Sequence, residues 1–206
     1  MKKISTLFVI NYSGKGSVGI ITDKIRPENS WVLTDADVKA TQKFDGTAAL
    51  IKNGCLFKRY DAKPTKEAFK NHIDGEAWSI NDFRQVPEGA IPCQEPDLVT
   101  GHYPHWIPCL RERKEDKYFL EAFDSQTPLE DGTYELCGEK VGGNPENITG
   151  HRLIRHGSIL YELEDYSFNS IKQFLENPLN NLEGIVFHHP DGRMCKIRKG
   201  DFLVKR

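Results

Sequence analysis

Six segments hold residues that could do phosphate chemistry. The first is Thr41-Gln42-Lys43-Phe44-Asp45-Gly46. Arg59 follows in Phe57-Lys58-Arg59-Tyr60-Asp61, then Tyr134-Glu135-Leu136-Cys137-Gly138-Glu139, then Gly143-Asn144-Pro145-Glu146. Last come Glu183-Gly184-Ile185-Val186-Phe187 and Lys196-Ile197-Arg198-Lys199. An unprotonated lysine amine is a nucleophile. Carboxylates are hard ligands for divalent cations, and fixed positive charge stabilises a phosphoryl group as it transfers. Each segment alone also has a bland reading. A KxDG string arises by chance in roughly one chain in twenty of this length, and it then means a solvated lysine before an Asp-Gly turn. Glu135 is equally a surface strand carboxylate, Glu183 a turn residue before a core strand, and Arg59 half of a cross-strand ion pair with Asp61 or another acid.

The order of the segments is more specific than any one of them. KxDG, an arginine on the next strand, an ELxG-like strand, EGxV and a final KxK-type strand resemble, in that order, the covalent nucleotidyltransferase superfamily of polynucleotide ligases and capping enzymes. The resemblance covers residues 38 to 202. Within it, the GAIPCQEPDLVTGHYPHWIPC spacer, ELCGEKVGGNPE and EGIVFHHPDG look like the compact ATP-dependent RNA ligases of vertebrates, microbes and viruses.

The resemblance implies a role for each position. Lys43 is the nucleophile that becomes a lysyl-nucleotide, with Asp45 and Lys196 as further catalytic residues. Thr41, Gln42 and Gly46 frame the nucleotide beside Lys43. Arg59 contacts phosphate, Glu135 accepts from the ribose, and Asp45 and Glu183 hold Mg²⁺ or Mn²⁺. Lys196 and a second cation, Arg198 or, across a bulge, Lys199, press charge on the α-phosphate. ATP is the AMP donor. The partner is RNA with a 5′-phosphate and a 3′-hydroxyl. A GTP-dependent capping-type enzyme, a DNA ligase core, and a nucleotide- or RNA-binding module with a decayed site remain as alternatives.

The rest of the chain must position these residues. Its 206 residues carry 38% hydrophobic and 28% charged side chains, a net charge of −2 and a mean hydropathy of −0.56. That suffices for a packed core and excludes a membrane-embedded chain. The last fourteen residues, RMCKIRKGDFLVKR, alone carry +5, a local cationic end. Five cysteines, none closer than sixteen residues to the next, give neither a zinc pattern nor a disulfide scaffold. Reduced, mostly buried thiols and a cytoplasmic location are expected. Gly14-Lys-Gly16-Ser-Val-Gly19 matches GxGxxG, but the alternating Ile20–Arg26 run that follows is strand-like, so a hairpin turn is expected rather than a dinucleotide loop.

Short β-type runs dominate. Residues 7–12 and 18–25 form one expected hairpin, and residues 47–51 and 55–61 another around Asn53-Gly54. Residues 132–140, 151–163, 183–189 and 193–199 also read as strands. Short helices are expected over 64–71, starting at Pro64, and over 169–177, capped by Ser170 and stopped by Pro178. Residues 75–115 promise little regular structure. The adjacent His188 and His189 must face opposite sides of a strand. The fold expected is α+β with mainly antiparallel sheets and flanking helices: a single nucleotidyltransferase domain of ligase type over 1–206, monomeric, with no OB-fold.

Overall fold

A computed structural model describes residues 3–12, 19–73 and 75–203. The elements, in chain order, are β1 (Ser5–Thr6), β2 (Phe8–Asn11), β3 (Ile20–Ile25), α1 (Trp31–Thr34), β4 (Lys39–Lys43), β5 (Thr47–Lys52) and β6 (Cys55–Asp61). Next are α2 (Lys66–Asn71), β7 (Ile91–Pro92), β8 (Pro104–Pro108), α3 (Lys117–Gln126), β9 (Gly132–Gly138) and β10 (His151–Arg155). The chain continues through β11 (Leu160–Tyr161), α4 (Phe168–Glu176), β12 (Gly184–His188) and β13 (Met194–Arg198). This is the expected α+β fold. Every ladder is antiparallel except the two-residue pairing of β1 with β13. The described residues divide into two compact units, one built on Gly46–Arg155, the other on Ile4–Asp45 together with the chain from His156 onward.

The first unit is a six-stranded sheet in the order β10-β9-β5-β6-β8-β7. The β5–β6 hairpin turns at Asn53 (φ 52°) and Gly54 (φ 71°), the two positive φ values that a two-residue type I′ turn demands. One sheet face presents Ala49, Ile51, Leu56, Tyr134, Leu136 and Leu153, and α3 covers it with Phe119 and Ala122. Leu50 pairs with both Phe57 and Thr133, so strand alternation puts Arg59 and Glu135 together on the other face. No element is expected from the sequence over 117–126, where α3 forms. The helix there is short, and its burial depends on a sheet assembled from distant strands. Residues 75–115 are mostly irregular as expected, apart from β7, β8, a short 3-10 turn at Ile80–Asp82 and the start of another at Lys114–Asp116.

The second unit is a five-stranded sheet, β1-β13-β12-β4-β11, with the separate β2–β3 hairpin. Its core face carries Ala40, Ile185, Phe187, Cys195 and Ile197, each at most 1% exposed, packed with Ile171 and Leu175 of α4. Fully burying one such large side chain stabilises by about 1.5–3 kcal/mol. Strands β2 and β3 pair as expected, while the turn expected at Gly14–Gly16 lies outside the described residues.

Two helix starts differ from expectation. Thr65, rather than Pro64, precedes the first turn of α2 and accepts the Ala68 N–H at 3.1 Å. Ser167, rather than Ser170, caps α4, and Ser170 supplies the N–H that it accepts at 3.3 Å. Both caps are Ser or Thr at the position whose extended φ/ψ leaves the side-chain oxygen facing a free N–H. The run 151–163 also splits. Its first half is the edge strand β10 of one sheet, and β11 belongs to the other sheet. All five cysteines are free thiols. Cys137 and Cys195 are buried, Cys93 and Cys109 partly so, and Cys55 is exposed.

Candidate active site

In the second unit, β4, β12 and β13 lie side by side in continuous register. Lys43 pairs with Gly184, and Gly184 with Arg198. One row along, Thr41 pairs with Val186, and Val186 with Lys196. The core face takes Ala40, Ile185, Phe187, Cys195 and Ile197, so alternation turns Thr41, Lys43, Lys196 and Arg198 to the opposite face. Gly184 at the centre of the row is required by space. A Cβ there would lie 2.1 Å from the Ile197 carbonyl oxygen and 2.7 Å from Arg198 Cα.

Lys43 ends β4, and its ammonium forms an ion pair with the Glu183 carboxylate, which stands just before β12. Lys43 Nζ also donates to the Phe44 carbonyl at 3.3 Å. Burial, and to a smaller extent the negative charge of Asp45, holds the Glu183 carboxyl above the usual carboxylate range, against the opposing pull of Lys43. Burial, followed by the positive charges of Lys43 and Arg198, pushes the Lys196 ammonium below the ordinary lysine value. The site face thus concentrates one lysine-carboxylate pair, a second lysine under electrostatic pressure and an arginine.

β13 runs without a bulge through Arg198. Arg198 therefore shares the face of Lys196. Lys199 starts the 3-10 turn Lys199–Phe202, and its buried ammonium donates to the Asn180 carbonyl at 3.2 Å. The Thr41 hydroxyl is buried, bonded to Val186 O at 3.2 Å and to His188 Nε2 at 3.0 Å. Gln42 projects the other way, and its side-chain oxygen accepts from the Tyr161 hydroxyl at 3.0 Å.

The first unit carries the remaining positions. Gly46 lies against β9, where an added Cβ would come within 2.2 Å of the Leu136 carbonyl oxygen and 2.9 Å of Glu135 Cγ. Arg59 does not pair with Asp61. That carboxylate instead binds His102 Nδ1 at 2.5 Å and the Tyr103 N–H at 2.9 Å. Among the described residues Arg59 has no ion-pair partner, whereas Lys58, on the opposite face, is neutralised by buried Asp116.

No family model matches the chain. The chain is 31% identical, over 222 aligned positions, to RNA ligase 1 of Danio rerio, across 81% of this chain and 67% of that protein. It belongs to the RNA ligase family.

Two residues that bond to site-face side chains of this RNA ligase family member carry no motif signal in the sequence. His188 reaches Thr41 and is held below the usual histidine value by burial and then by the charge of His156. Alternation predicts that His188 and His189 diverge, and His189 does face away, toward Trp31 and Asp35. Asp201 holds Arg198 by a 2.9 Å bond, and the only sequence signal for it is the i, i+3 spacing of opposite charges. No group of three or more His, Cys, Asp or Glu among the described residues could hold a metal by itself. Asp45 and Glu183 are a two-carboxylate set in which the charge of Asp45 helps to raise the Glu183 carboxyl. That set fits a hard divalent cation that keeps most of its shell as water and phosphate oxygens, the habit of Mg²⁺. Among the described residues, no helix is long and apolar enough to cross a membrane.

Proposed function

We propose that the chain is an ATP-dependent RNA ligase working through a lysyl-AMP intermediate. The observation that carries this reading is the row Lys43–Gly184–Arg198, with Glu183 on Lys43 and Lys196 one row away. Lys43 Nζ gives its proton to solvent water, leaves the Glu183 carboxylate and attacks the α-phosphorus of ATP. The N–P bond forms as the bond to pyrophosphate breaks. A 5′-phosphate oxygen of RNA then attacks the same phosphorus, breaking the N–P bond and returning the amine. Finally an RNA 3′-hydroxyl attacks the 5′-phosphate phosphorus, its proton passing to solvent, and AMP leaves as the pyrophosphate P–O bond to it breaks. Atoms balance with ATP and two RNA ends as the only reactants.

Lys196 and Arg198 are assigned to the α-phosphate, where preorganised charge is worth most in the transition state. Arg198 is preferred to Lys199 as the second cation because it shares the face of Lys196 and Lys199 is buried. Arg59 is assigned to phosphate and Glu135 to the ribose hydroxyls. Thr41, Gln42 and Gly46 are assigned to shaping the nucleotide's surroundings; the geometry favours support for Thr41 and Gln42 over direct contact, since their side chains bond within the fold. Asp45 and Glu183 are assigned to Mg²⁺ or Mn²⁺, which when bound supplies charge neutralisation on the phosphates. The two compact units are taken to work as a single nucleotidyltransferase domain.

The test compares 5′-phosphorylated RNA and DNA of one sequence, each as a nick and as a single strand, with ATP or GTP. RNA ends with a 3′-hydroxyl should be joined with ATP. Equal joining of all-DNA nicks, or GMP transfer to a 5′-diphosphate RNA end, would replace this reading with a DNA ligase or a capping enzyme.

A further inference from the structure

Behind the last strand, the 3-10 turn Lys199–Phe202 touches two site residues at once. The Lys199 N–H donates to the Glu183 carbonyl at 2.8 Å, fixing the backbone of that residue. The Asp201 carboxylate turns back onto Arg198. It accepts the Arg198 backbone N–H at 2.9 Å through Oδ2 and the guanidinium Nη2 at 2.9 Å through Oδ1, with Nε at 3.5 Å. The turn is anchored from below by Phe202, whose ring lies 5.3 Å from that of Phe168 at the start of α4.

A backbone cap needs one carboxylate oxygen. The second oxygen of Asp201 is free to serve the Arg198 side chain, and it does. The Asp201 side chain is 6% exposed while that of Arg198 is 44% exposed. The carboxylate is thus the fixed member of the pair and the guanidinium the presented one. A guanidinium has five N–H donors in a rigid fork. Asp201 engages the Nε and Nη2 side, leaving the other N–H groups for an anion in front of β13. An arginine held this way loses less side-chain freedom when it meets phosphate.

We propose that Asp201 is a positioning residue for Arg198, setting the guanidinium on the face of β13 where the transferring phosphate is bound. The proposal rests on the reading of Lys43 as the nucleophile and adds a residue to that site. Asp201→Asn keeps an oxygen to cap the Arg198 N–H and removes the charge that grips the guanidinium. The experiment is a double-mutant cycle of Asp201→Asn and Arg198→Ala, read as the single-turnover rate of AMP transfer to Lys43 at saturating ATP, alongside the KM for ATP and the melting temperature.

Asp201→Asn should slow transfer about ten- to a hundred-fold with a smaller change in KM, at a temperature where the variant is folded. In the Arg198→Ala background it should cause no further loss. If Asp201→Asn does not fold, Asp201→Ser, which retains a capping oxygen, takes its place. A wild-type or faster rate in the folded variant overturns the proposal, and so does an equal loss in the Arg198→Ala background, because either shows that Asp201 does not act through Arg198. Failure of the wild-type protein to form an AMP adduct overturns the proposed function itself, a separate and recognisable result.

Discussion

Gly184→Ala should damage both stability and AMP transfer. Gly184 pairs with Lys43 on one side and Arg198 on the other. The Cβ that alanine adds would stand 2.1 Å from the Ile197 carbonyl oxygen. An ordinary C···O contact is about 3.3 Å, so β12 and β13 must separate by about 1 Å at this row. Overpacking of this kind costs about 1–3 kcal/mol. For a chain of this size that is a fall of roughly 2–12 °C in Tm. The same displacement falls on the residues that hold and flank Lys43, and a 1 Å misplacement can cost about 10² in rate. The assay pairs thermal unfolding with single-turnover transfer of labelled AMP. Gly200→Ala is the control, since a Cβ there has nothing within 4 Å. A Gly184→Ala protein with wild-type Tm and rate, or an equally damaging Gly200→Ala, would refute the steric argument.

Lys196 is held below the ordinary lysine value of 10.5, first by burial and then by Lys43 and Arg198. A base lowered in the folded state makes stability rise with pH across the window below 10.5, where the unfolded chain holds the extra proton. Lys196→Met should remove that slope in Tm against pH and melt no lower than wild type at neutral pH, while AMP transfer falls about 10²–10³-fold; a destabilised variant with the slope intact contradicts this. Lys58→Met leaves Asp116, 0% exposed, without its cation and should cost about 3–5 kcal/mol in urea unfolding, largely restored by adding Asp116→Asn. Burial pushes the Cys109 and Cys195 thiols up to about 12, whereas Cys55 is exposed. A thiol reagent at mildly alkaline pH should therefore modify Cys55 well before Cys195, and equal rates in the folded protein would contradict the burial of β13.

The features legible in the sequence are those set by local rules. Asn53-Gly54 fixes a turn because few other pairs tolerate two positive φ values, and the alternation in 184–188 and 194–198 separates the core face from the site face before any partner strand is known. What escaped depends on partners far away in the chain. α3 is buried by a sheet whose strands come from 47 to 155. The 151–163 run divides between two sheets, which a continuous β-type pattern does not signal. The choice between Arg198 and Lys199 turns on whether β13 carries a bulge, decided by its ladder with β12. Asp201 and His188 stand outside the EGxV and KxK-type strings and are found through their contacts, with Arg198 and Thr41 respectively.

The central claim is tested most directly by incubating the purified protein with ATP and Mg²⁺ and locating the adduct by intact and peptide mass spectrometry. The account predicts a gain of one AMP on Lys43, stable to base and labile to acid as a P–N bond is, and absent from a folded Lys43→Ala protein. AMP carried on any other residue, or an adduct that persists in folded Lys43→Ala, would contradict it.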